Sequence, residues 1–392
     1  MAKIALVSLN TGSGCPPIGL VQYGTWLQRE GHEVDIIDAN FPIKKGFDYD
    51  QIGISAMTVN YGMAKNMGKW LKENTRAKVV IGGVHISTCP ESFDPECFDE
   101  MVIGEGEKIK DLDDLPLPNW DLVDPRYFKP SFNTTFAERG IEGVMLTSRG
   151  CPYRCRFCST QAFWGNKVRF HSADRVVEMI KDLERRGVTH IQIWDDLFTI
   201  NKTRLREIAY YYSSPLYEHF NIKFNCQPRA DLIDDELCEI LKDIGITTCI
   251  FGFESGNDRV LRYLKRDTCT TQDNYKAIEI CHRHGLKVQG SVMLGSPNET
   301  LKEMNDTYEF VKWCAFNGVQ RIWSFVATPF PKTEWWANQD VNECSHQNVD
   351  NPLLLNPDVS KKDFKKMMNK IRLVENVFKF KKLGGLICET FK

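Results

Sequence analysis

Residues 151 to 158 read Cys151-Pro152-Tyr153-Arg154-Cys155-Arg156-Phe157-Cys158, which places three cysteines within eight positions. They directly follow an apolar run, residues 143–148, that is typical of a buried strand. Thiolates are soft ligands that suit iron–sulfur clusters, and three of them leave one iron of a four-iron cluster without a protein ligand. Such an open position indicates chemistry rather than scaffolding. The alternatives are chance cysteines or a zinc knuckle, but the nearest His, His171, lies too far on to complete a compact zinc site.

The composition is that of an ordinary globular protein. The 392 residues suffice for two or three domains, with 42% hydrophobic and 26% charged residues and a net charge of −2. This balance gives no global attraction to nucleic acid or to a membrane surface. No apolar run approaches the ~20 residues of a membrane span, and the chain begins with a strand pattern rather than a signal peptide. We therefore expect a cytoplasmic protein.

The remaining cysteines carry no motif. Fourteen cysteines in a reducing compartment do not indicate disulfides. Several lie singly in strand or helix patterns, and we interpret them as small buried apolar residues: Cys226, Cys238, Cys249, Cys281 and Cys314.

The chain before the motif alternates strand patterns with helix patterns. Strands are predicted at residues 4–9, 33–38, 52–56, 78–83 and 100–104, and helices at 20–27 and 63–74. This alternation predicts an α/β domain with a doubly wound, Rossmann-like parallel sheet over residues 1–107. Glycines at the carboxyl ends of these strands let a bulky ligand approach the backbone. A dinucleotide is disfavoured, because no Gly-x-Gly-x-x-Gly follows the first strand.

Residues 108–142 are rich in Asp and Pro and read as a linker. Prolines favour an extended path and disfavour helix. We expect four aromatic residues to pack this segment against the surfaces it crosses: Trp120, Tyr127, Phe128 and Phe132.

Six strand patterns alternate with helix patterns in the next part of the chain. The strands are predicted at 143–148, 189–194, 222–226, 247–253, 288–294 and 322–326, and the helices at 173–186, 203–212, 234–244, 271–284 and 299–317. Six β/α units at this spacing predict a partial (β/α)6 barrel of the TIM type over residues 143–335. Residues 336–392 predict a small, mostly helical extension with a basic face, whose apolar positions recur at helical spacing: Phe364, Met367, Met368, Ile371, Val374 and Phe378.

The cysteine spacing, with Phe157 before the third cysteine, resembles the signature of the radical S-adenosylmethionine (radical SAM) enzymes. The resemblance implies a 4Fe–4S cluster on Cys151, Cys155 and Cys158, with SAM bound to the open iron. By the same resemblance, motifs at the ends of the barrel strands would hold SAM, and they supply its expected contacts: Phe157, Asp195, Asp196, Arg229, Glu254, Ser291 and Leu294.

Each of these motifs has an implied role. Asp195-Asp196 replaces the Gly-Gly-Glu that family members often use to hold the SAM ammonium, and either acid could point inward. Arg229 would pair with the SAM carboxylate, and Glu254 with the ribose or the ammonium. Residues 290–299, which include Ser291 and Leu294, match the motif that flanks adenine. Residues 328–333 resemble a Thr-Pro-x-Pro-Gly-Thr turn with Lys332 in place of Gly, and a lysine disfavours the left-handed backbone of such a turn.

Three segments of the first region resemble the cobalamin-binding domain that precedes many radical SAM barrels. They are Pro-Pro-x-Gly-Leu at 16–20, Gly-Gly-Val-His at 82–85 and Gly-Glu-Gly-Glu at 104–107. The Asp-x-His-x-x-Gly that ligates cobalt in some such domains is missing, so cobalt would lack a protein imidazole and the 56–61 loop would cover its lower face. The implied cobalamin contacts are Gly19, Leu20, Ser55, Thr58, Gly82, Gly83, His85, Gly104, Glu105 and Gly106.

The combined resemblance implies a cobalamin-dependent radical SAM methyltransferase. A 5′-deoxyadenosyl radical would remove a substrate hydrogen, and methylcobalamin would deliver a methyl radical to that unactivated carbon. The alternative is an oxidative rearrangement or cyclisation of a small molecule without methyl transfer. A non-catalytic iron–sulfur module is disfavoured by the five strand-end motifs. A second cluster motif, which tRNA methylthiolation would favour, is lacking.

The expected partners follow from the same resemblance. An electron donor such as a flavodoxin or ferredoxin would reduce the cluster. The substrate stays open, with a preference for a peptide or protein side chain because the C-terminal helix is basic. Neither a membrane nor a nucleic acid is expected as a partner.

Overall fold

The computed structural model describes residues 1–9, 15–40, 46–107, 109–129, 140–213, 222–336, 349–350 and 352–381. The first part of the chain forms a five-stranded parallel sheet in the order β2-β1-β3-β4-β5. Its strands are β1 (Lys3–Ser8), β2 (Glu33–Asp38), β3 (Gln51–Ser55), β4 (Lys78–Gly82) and β5 (Glu100–Met101), and its helices are α1 (Ile18–Arg29), α2 (Tyr61–Asn74) and α3 (Val84–Thr88). The predicted doubly wound sheet is confirmed, although β5 is shorter than expected.

The central strands of this sheet end at one level. Ser8 pairs with Ser55 and Ser55 pairs with Gly82, so the three strands deliver their following loops to the same edge. β1 and β4 are apolar and buried along most of their length, as expected of a parallel sheet that is covered on both faces. In β3 the burial alternates, and only Ile52 and Ile54 are buried. This common edge is where a ligand site is expected.

The linker differs from the extended path that its prolines predicted. It forms three single 3₁₀ turns at Leu112–Asp114, Trp120–Leu122 and Pro125–Phe128. Each turn begins after an Asp or Asn whose side chain accepts a hydrogen bond from a backbone N–H two residues on, which stabilises a turn where proline disfavours an α-helix. Trp120 and Tyr127 are buried as expected, Phe128 packs against the core, and Phe132 lies outside the described residues.

The second part of the chain forms a six-stranded parallel sheet in the order β13-β12-β11-β10-β9-β6, which confirms the predicted partial barrel. A two-stranded antiparallel sheet, β7 and β8, was not predicted. The strands are β6 (Glu142–Met145), β7 (Ser148–Arg149), β8 (Arg169–Phe170), β9 (His190–Ile193), β10 (Lys223–Cys226), β11 (Ile246–Glu254), β12 (Lys287–Leu294) and β13 (Arg321–Val326).

Helices cover the outside of this barrel, except for a short one at Thr160–Trp164 in the loop between β7 and β8. Their bounds are α4 (Thr160–Trp164), α5 (Ala173–Arg185), α6 (Lys202–Ser213), α7 (Asp235–Asp243), α8 (Asp258–Lys265), α9 (Thr271–Arg283), α10 (Leu301–Phe316) and α11 (Lys361–Lys381). Side-chain caps at Ser172, Asp234, Thr270 and Thr300 begin α5, α7, α9 and α10. The sequence pattern missed α8, because its 8 residues are too few for the apolar periodicity to repeat.

The C-terminal helix α11 packs on α10 and covers the outer strand β13. Phe364, Met368 and Ile371 are fully buried, and Glu375 accepts a hydrogen bond of 2.6 Å from the backbone N–H of Ser324. A helix in this place protects a strand edge that would otherwise pair with another chain. No described helix is both long and apolar enough to cross a membrane.

Four of the cysteines interpreted as single buried residues lie together. Cys226 and Cys249 on β10 and β11 meet Cys238 and Cys281 on α7 and α9, and all four are fully buried. The contact of Cys238 with Cys281, together with burial, raises the pKa of the Cys238 thiol far above its usual range. The sequence could not show this grouping, because the four positions come together only when the strands and helices pack.

Candidate functional site

The three motif cysteines lie on one loop, residues 150–168, which we call the cluster loop. It leaves β7 and returns to β8, so the small antiparallel sheet closes its base. Cys151 and Cys155 are half-buried and Cys158 is exposed. Burial raises the pKa of the Cys151 thiol to about 11, so the free side chain is protonated at neutral pH and binding of a positive metal centre is needed to hold it as a thiolate.

The outer side of the cluster loop is tied to α8 and to the turn after β13. Arg156 donates from Nε to the carbonyl of Tyr263 over 2.9 Å, and its backbone N–H donates to Leu264 over 2.9 Å. Glu334 binds the guanidinium groups of both Arg156 and Arg266. These contacts hold the loop from residues more than a hundred positions away in sequence.

Phe157 points into a small apolar cluster with Met293, Leu264 and Trp335. Its ring lies 6.3 Å from that of Trp335. The side chain therefore anchors the cluster loop against the barrel. Lys332, whose place in the neighbouring turn favours glycine, adopts a φ of 62°, so the turn keeps its left-handed backbone despite the lysine.

The two adjacent acids after β9 have different surroundings. Asp195 is 1% exposed and accepts hydrogen bonds from the backbone N–H and hydroxyl of Thr147 and from the hydroxyl of Ser148. Asp196 is exposed and accepts from the backbone N–H of Gly150 over 3.1 Å and from Thr160 over 3.0 Å. Of these two acids, Asp196 is the one with carboxylate surface open to a ligand beside the cysteines, a distinction that the sequence left undecided.

Arg229 lies at the opposite side of the cysteines. Its guanidinium donates to Cys155 Sγ over 3.6 Å, to Asp231 over 2.9 Å and to Thr268 over 2.9 Å. The same group lies 3.6 Å from the centre of the Tyr153 ring. Arg229 is thus held next to the cluster loop as a buried positive charge, which favours an anion there.

The ends of β11 and β12 bring the remaining predicted SAM contacts to this edge. Glu254, the last residue of β11, has a φ of 62°, and burial raises the pKa of its carboxyl while Lys265 and Arg229 oppose that effect. Ser291 is half-buried, whereas the Leu294 side chain is fully buried in the core. Leu294 can therefore reach a ligand only through its backbone.

Glu299 fixes the turn that follows β12. One of its oxygens accepts hydrogen bonds from the backbone N–H of Gly295 over 2.8 Å and from the N–H and hydroxyl of Ser296, each over 3.1 Å. Burial raises the pKa of this carboxyl to about 7. The turn after β12 is thereby held in one shape beside the cluster loop.

A cavity of about 630 Å³ lies between the carboxyl ends of the two large sheets. Eight of the ten predicted cobalamin contacts line it: Gly19, Leu20, Ser55, Gly82, Gly83, Gly104, Glu105 and Gly106. The opposite wall comes from the barrel and includes Met145, Leu146, Arg149, Trp164, His171 and Trp194. Since Arg149 is two residues from Cys151, the cavity reaches the base of the cluster loop.

Two glycines of the cavity wall cannot carry a side chain. Gly83 has a φ of 94°, and a Cβ atom there would lie 2.7 Å from the carbonyl oxygen of Ala56. A Cβ on Gly106 would lie 2.3 Å from the ring of Tyr23. The backbone of these segments therefore forms the wall itself, which leaves room for a large ring system.

His85 and Thr58, the other two predicted contacts, do not line the cavity. The His85 ring is fully buried, with Nδ1 3.2 Å from the Thr58 hydroxyl and Nε2 3.0 Å from the Ser92 hydroxyl. Burial lowers the pKa of His85 to about 4. Both ring nitrogens are used inside the first domain, so this histidine supports the loop behind the cavity and offers no imidazole to a ligand.

His171 lines the cavity, although no motif in the sequence indicated it. It is 4% exposed, and its Nδ1 lies 3.0 Å from Asp113, a linker residue 58 positions earlier. Burial lowers the pKa of His171 to about 4, although Asp113 opposes that shift. No sequence signal pairs His171 with Asp113, because the contact depends on how the linker packs.

The residues present fit the cofactors that the sequence implies. Three thiols on one loop match a cluster with an open iron, and a basic and an acidic side chain flank them as a zwitterionic ligand requires. The cavity has glycine edges, an apolar wall and Met57 and Asn60 of the 56–61 loop on its first-domain side. Among the described wall residues of that side there is no histidine.

Comparisons with known proteins agree with this arrangement. A model of the radical SAM superfamily matches residues 145–311, and a model of the B12 binding domain matches residues 4–112. An uncharacterized methyltransferase of Pyrococcus horikoshii is 30% identical, over 83% of this chain and 78% of that protein. A putative methylthiotransferase of Methanocaldococcus jannaschii is 28% identical, over 81% of this chain and 76% of that protein.

A solved structure shares the fold. The radical S-adenosylmethionine methyltransferase TsrM from Kitasatospora setae, with cobalamin and a 4Fe–4S cluster bound, superposes with a TM-score of 0.68 at 19% sequence identity. The match covers 93% of this chain and 84% of that one.

Proposed function

This chain belongs to the radical SAM superfamily, among the methyltransferases that carry an N-terminal B12-binding domain, and from this membership we propose that it methylates an unactivated carbon. Its cofactors are a 4Fe–4S cluster, SAM and cobalamin. The observation that carries the proposal is the cavity that extends from Gly83 and Gly104, in the loops after β4 and β5, to Arg149 beside the cysteines. Two cofactors that exchange a one-carbon group need such a shared space.

We assign the cluster to Cys151, Cys155 and Cys158. Asp196 binds the SAM ammonium and Arg229 the SAM carboxylate, since these two groups flank the cysteines with opposite charge. Asp195 does not contact SAM, because hydrogen bonds to Thr147 and Ser148 occupy it.

The bound cofactors supply a carbon-centred radical and a transferable methyl group. The chain's own residues bind and orient them and exclude water. Trp164, Trp194 and Leu146 form an apolar wall that protects a reactive carbon from solvent. Met57 and Asn60 would hold cobalamin from the first-domain side of the cavity, and His85, whose ring nitrogens bond to Thr58 and Ser92, would offer it no imidazole.

An electron donor is required to reduce the cluster, and we propose a flavodoxin or ferredoxin. The substrate is proposed to be a peptide or protein side chain. The basic face of α11 supports this choice, because Lys361, Lys362 and Lys366 are exposed there while the apolar residues pack inward. We place the protein in the cytoplasm.

Anaerobic reconstitution with iron, sulfide and cobalamin, followed by incubation with SAM and a reductant, tests the function. A methyltransferase releases S-adenosylhomocysteine and 5′-deoxyadenosine in equal amounts when a substrate is methylated, and the substrate gains the mass of one methylene. Deoxyadenosine alone, with a rearranged substrate, contradicts methyl transfer and favours oxidative rearrangement or cyclisation. A gain of a methylthio group contradicts it in favour of methylthiolation.

A further inference from the structure

The small β7–β8 sheet places two arginines side by side at the base of the cluster loop. Arg149 on β7 is directly opposite Arg169 on β8 in the antiparallel register. The cluster loop begins one residue after Arg149 and ends one residue before Arg169. Any movement of this pair therefore moves both ends of the segment that carries the cysteines.

Both arginines bind the acidic segment at the edge of the first sheet. Arg149 Nη1 lies 2.6 Å from Glu105 Oε2, and Arg149 Nη2 lies 3.6 Å from Glu107 Oε1. Arg169 binds the other carboxylate oxygen of Glu105. Glu105 thus bridges two strands of the barrel domain, while its neighbours Gly104 and Gly106 line the cavity.

The contact is largely removed from solvent. The side chains of Arg149, Glu105 and Glu107 are 9%, 16% and 6% exposed, and the Arg149 guanidinium lies 5.3 Å from the centre of the Trp164 ring. Removing these charges from water costs about as much as their attraction returns, so such a network is weak support for stability. The network instead restricts the relative placement of the partners, because Glu105 binds a different arginine at each carboxylate oxygen and Arg149 also lies close to Glu107.

We propose that Glu105, Glu107, Arg149 and Arg169 form a clamp that fixes the separation of the cobalamin cavity from the cluster loop, with Arg149 as its positioning residue. The inference rests on the proposed function, since it assigns the clamp to two bound cofactors. Methyl transfer from SAM to reduced cobalamin needs the two sites in register. Reductive cleavage of SAM at the cluster does not. The clamp therefore affects the first reaction far more than the second.

The test uses holoenzyme that carries both cluster and cobalamin, and it needs no substrate. Methylation of reduced cobalamin is followed by release of S-adenosylhomocysteine, and SAM cleavage by release of 5′-deoxyadenosine. In Arg149→Gln we expect methylation to fall by about 10- to 100-fold and cleavage by less than about threefold, because a misplacement of about 1 Å has effects of that size. Arg149→Lys keeps the positive charge but loses the planar guanidinium, so its rate of cobalamin methylation should lie between those of the wild-type protein and Arg149→Gln.

Pulsed EPR of cob(II)alamin and the reduced cluster gives a readout besides activity, namely the distribution of distances between the two paramagnetic centres. We expect a narrow distribution in the wild-type protein and a broader or shifted one in Arg149→Gln. Glu107→Gln loses only the 3.6 Å contact with Arg149, so it should broaden the distance distribution less. This second variant allows the same measurement if Arg149→Gln does not fold. Arg283→Gln, which removes an exposed ion pair with Asp235 on the far side of the barrel, is the matched control.

The clamp is contradicted if Arg149→Gln and Glu107→Gln both keep the wild-type distance distribution and the wild-type ratio of cobalamin methylation to SAM cleavage. That result would leave the proposed function intact. A wild-type protein that binds no cobalamin and cleaves no SAM overturns both together. An equal loss in Arg283→Gln also contradicts the clamp, because that pair is remote from the cavity.

Discussion

The cluster loop takes its three cysteines from eight consecutive residues, whereas the cobalamin cavity takes its wall from segments as far apart as Gly19 and Trp194. The loop carries its chemistry in side chains that a short stretch of sequence brings together. The cavity depends instead on its shape, because backbone atoms at Gly83 and Gly106, rather than side chains, form part of its wall. The two sites should therefore fail in different ways when residues are changed.

The two regions also differ in how they are held. The loop is anchored from outside by Glu334 and α8, on contacts within the barrel domain. The cavity exists only while the first sheet and the barrel stay together, and ion pairs such as Arg149–Glu105 link them. Local changes should therefore abolish the cluster alone, while changes at the domain boundary should alter the relation of the two cofactors.

The largest expected effect is loss of the cluster in Cys155→Ser. Two thiolates cannot retain a cluster that already lacks a fourth protein ligand, so iron content and SAM cleavage should fall to background. Iron analysis, absorbance and 5′-deoxyadenosine release measure this. Cys314→Ala, which removes a buried thiol on α10, should keep its iron. Retention of iron and cleavage activity in Cys155→Ser would contradict the assignment of the cluster ligands.

Gly83→Ala should distort the cavity wall and leave iron binding at the three cysteines unchanged. The residue has φ 94° and ψ −177°, a region that is essentially restricted to glycine, and its Cβ would meet the carbonyl of Ala56. We expect the free energy of unfolding to fall by about 2–4 kcal/mol, with cobalamin affinity weakened as the loop shifts. Denaturant unfolding and absorbance titration with cobalamin measure the two effects.

The neighbouring Gly82 provides the matched control for that change. Its nearest neighbour to a built Cβ is Val102, at 3.8 Å, which is ordinary contact. Gly82→Ala should lose less than about 1 kcal/mol of unfolding free energy. Equal losses in both variants would show that the backbone at Gly83 has no special role in the cavity wall.

The two buried histidines predict a loss of stability in acid. Burial lowers the pKa of both His85 and His171 to about 4, below the unfolded value near 6.5. The unfolded chain therefore takes up protons first as the pH falls. For each histidine, this proton uptake should lower the free energy of unfolding by about 2 kcal/mol between about pH 7 and about pH 5. Above about pH 7 neither histidine should contribute to the pH dependence.

Denaturant unfolding of the apoprotein at a series of pH values measures this dependence. His85→Gln and His171→Gln should each flatten the curve by about half of the combined effect of the two residues. One histidine supports the first domain and the other the barrel wall, so the pair tests both regions at once. An unchanged curve in both variants would exclude them as the source.

The smallest expected effect separates the two adjacent acids beside the cluster loop. Asp196→Asn should weaken SAM binding about tenfold, which is the size of one hydrogen bond to a charged group. It should lower the free energy of unfolding by less than about 1 kcal/mol, because the carboxylate that accepts from Gly150 and Thr160 is exposed. Asp195→Asn should instead lower the free energy of unfolding by about 1–3 kcal/mol, because the donors at Thr147 and Ser148 lose a charged acceptor. Calorimetric SAM titration and denaturant unfolding measure them, and the reverse pattern would interchange the two roles.

Much of the architecture follows from local patterns. The strands of both sheets fall within a few residues of their predicted positions, because parallel strands buried on both faces read as short Val- and Ile-rich runs. The β7–β8 sheet and α8 were not predicted, and the linker departed from its predicted extended path. Asp111, Asn119 and Asp124 cap their own turns there, and this side-chain chemistry outweighs the extended preference of nearby prolines.

The three-cysteine motif, the order of the strands along the chain and the glycine-rich loops could be predicted without a structure, because each depends on residues that are close in sequence. Three features appear only in the tertiary structure. Asp195 is hydrogen-bonded to Thr147 whereas Asp196 is exposed, and His85 lies behind the cavity whereas His171 lines it. Arg149 and Arg169 both form ion pairs with Glu105. Each of these outcomes depends on which distant groups satisfy a buried hydrogen bond or charge, and only packing brings those groups into contact.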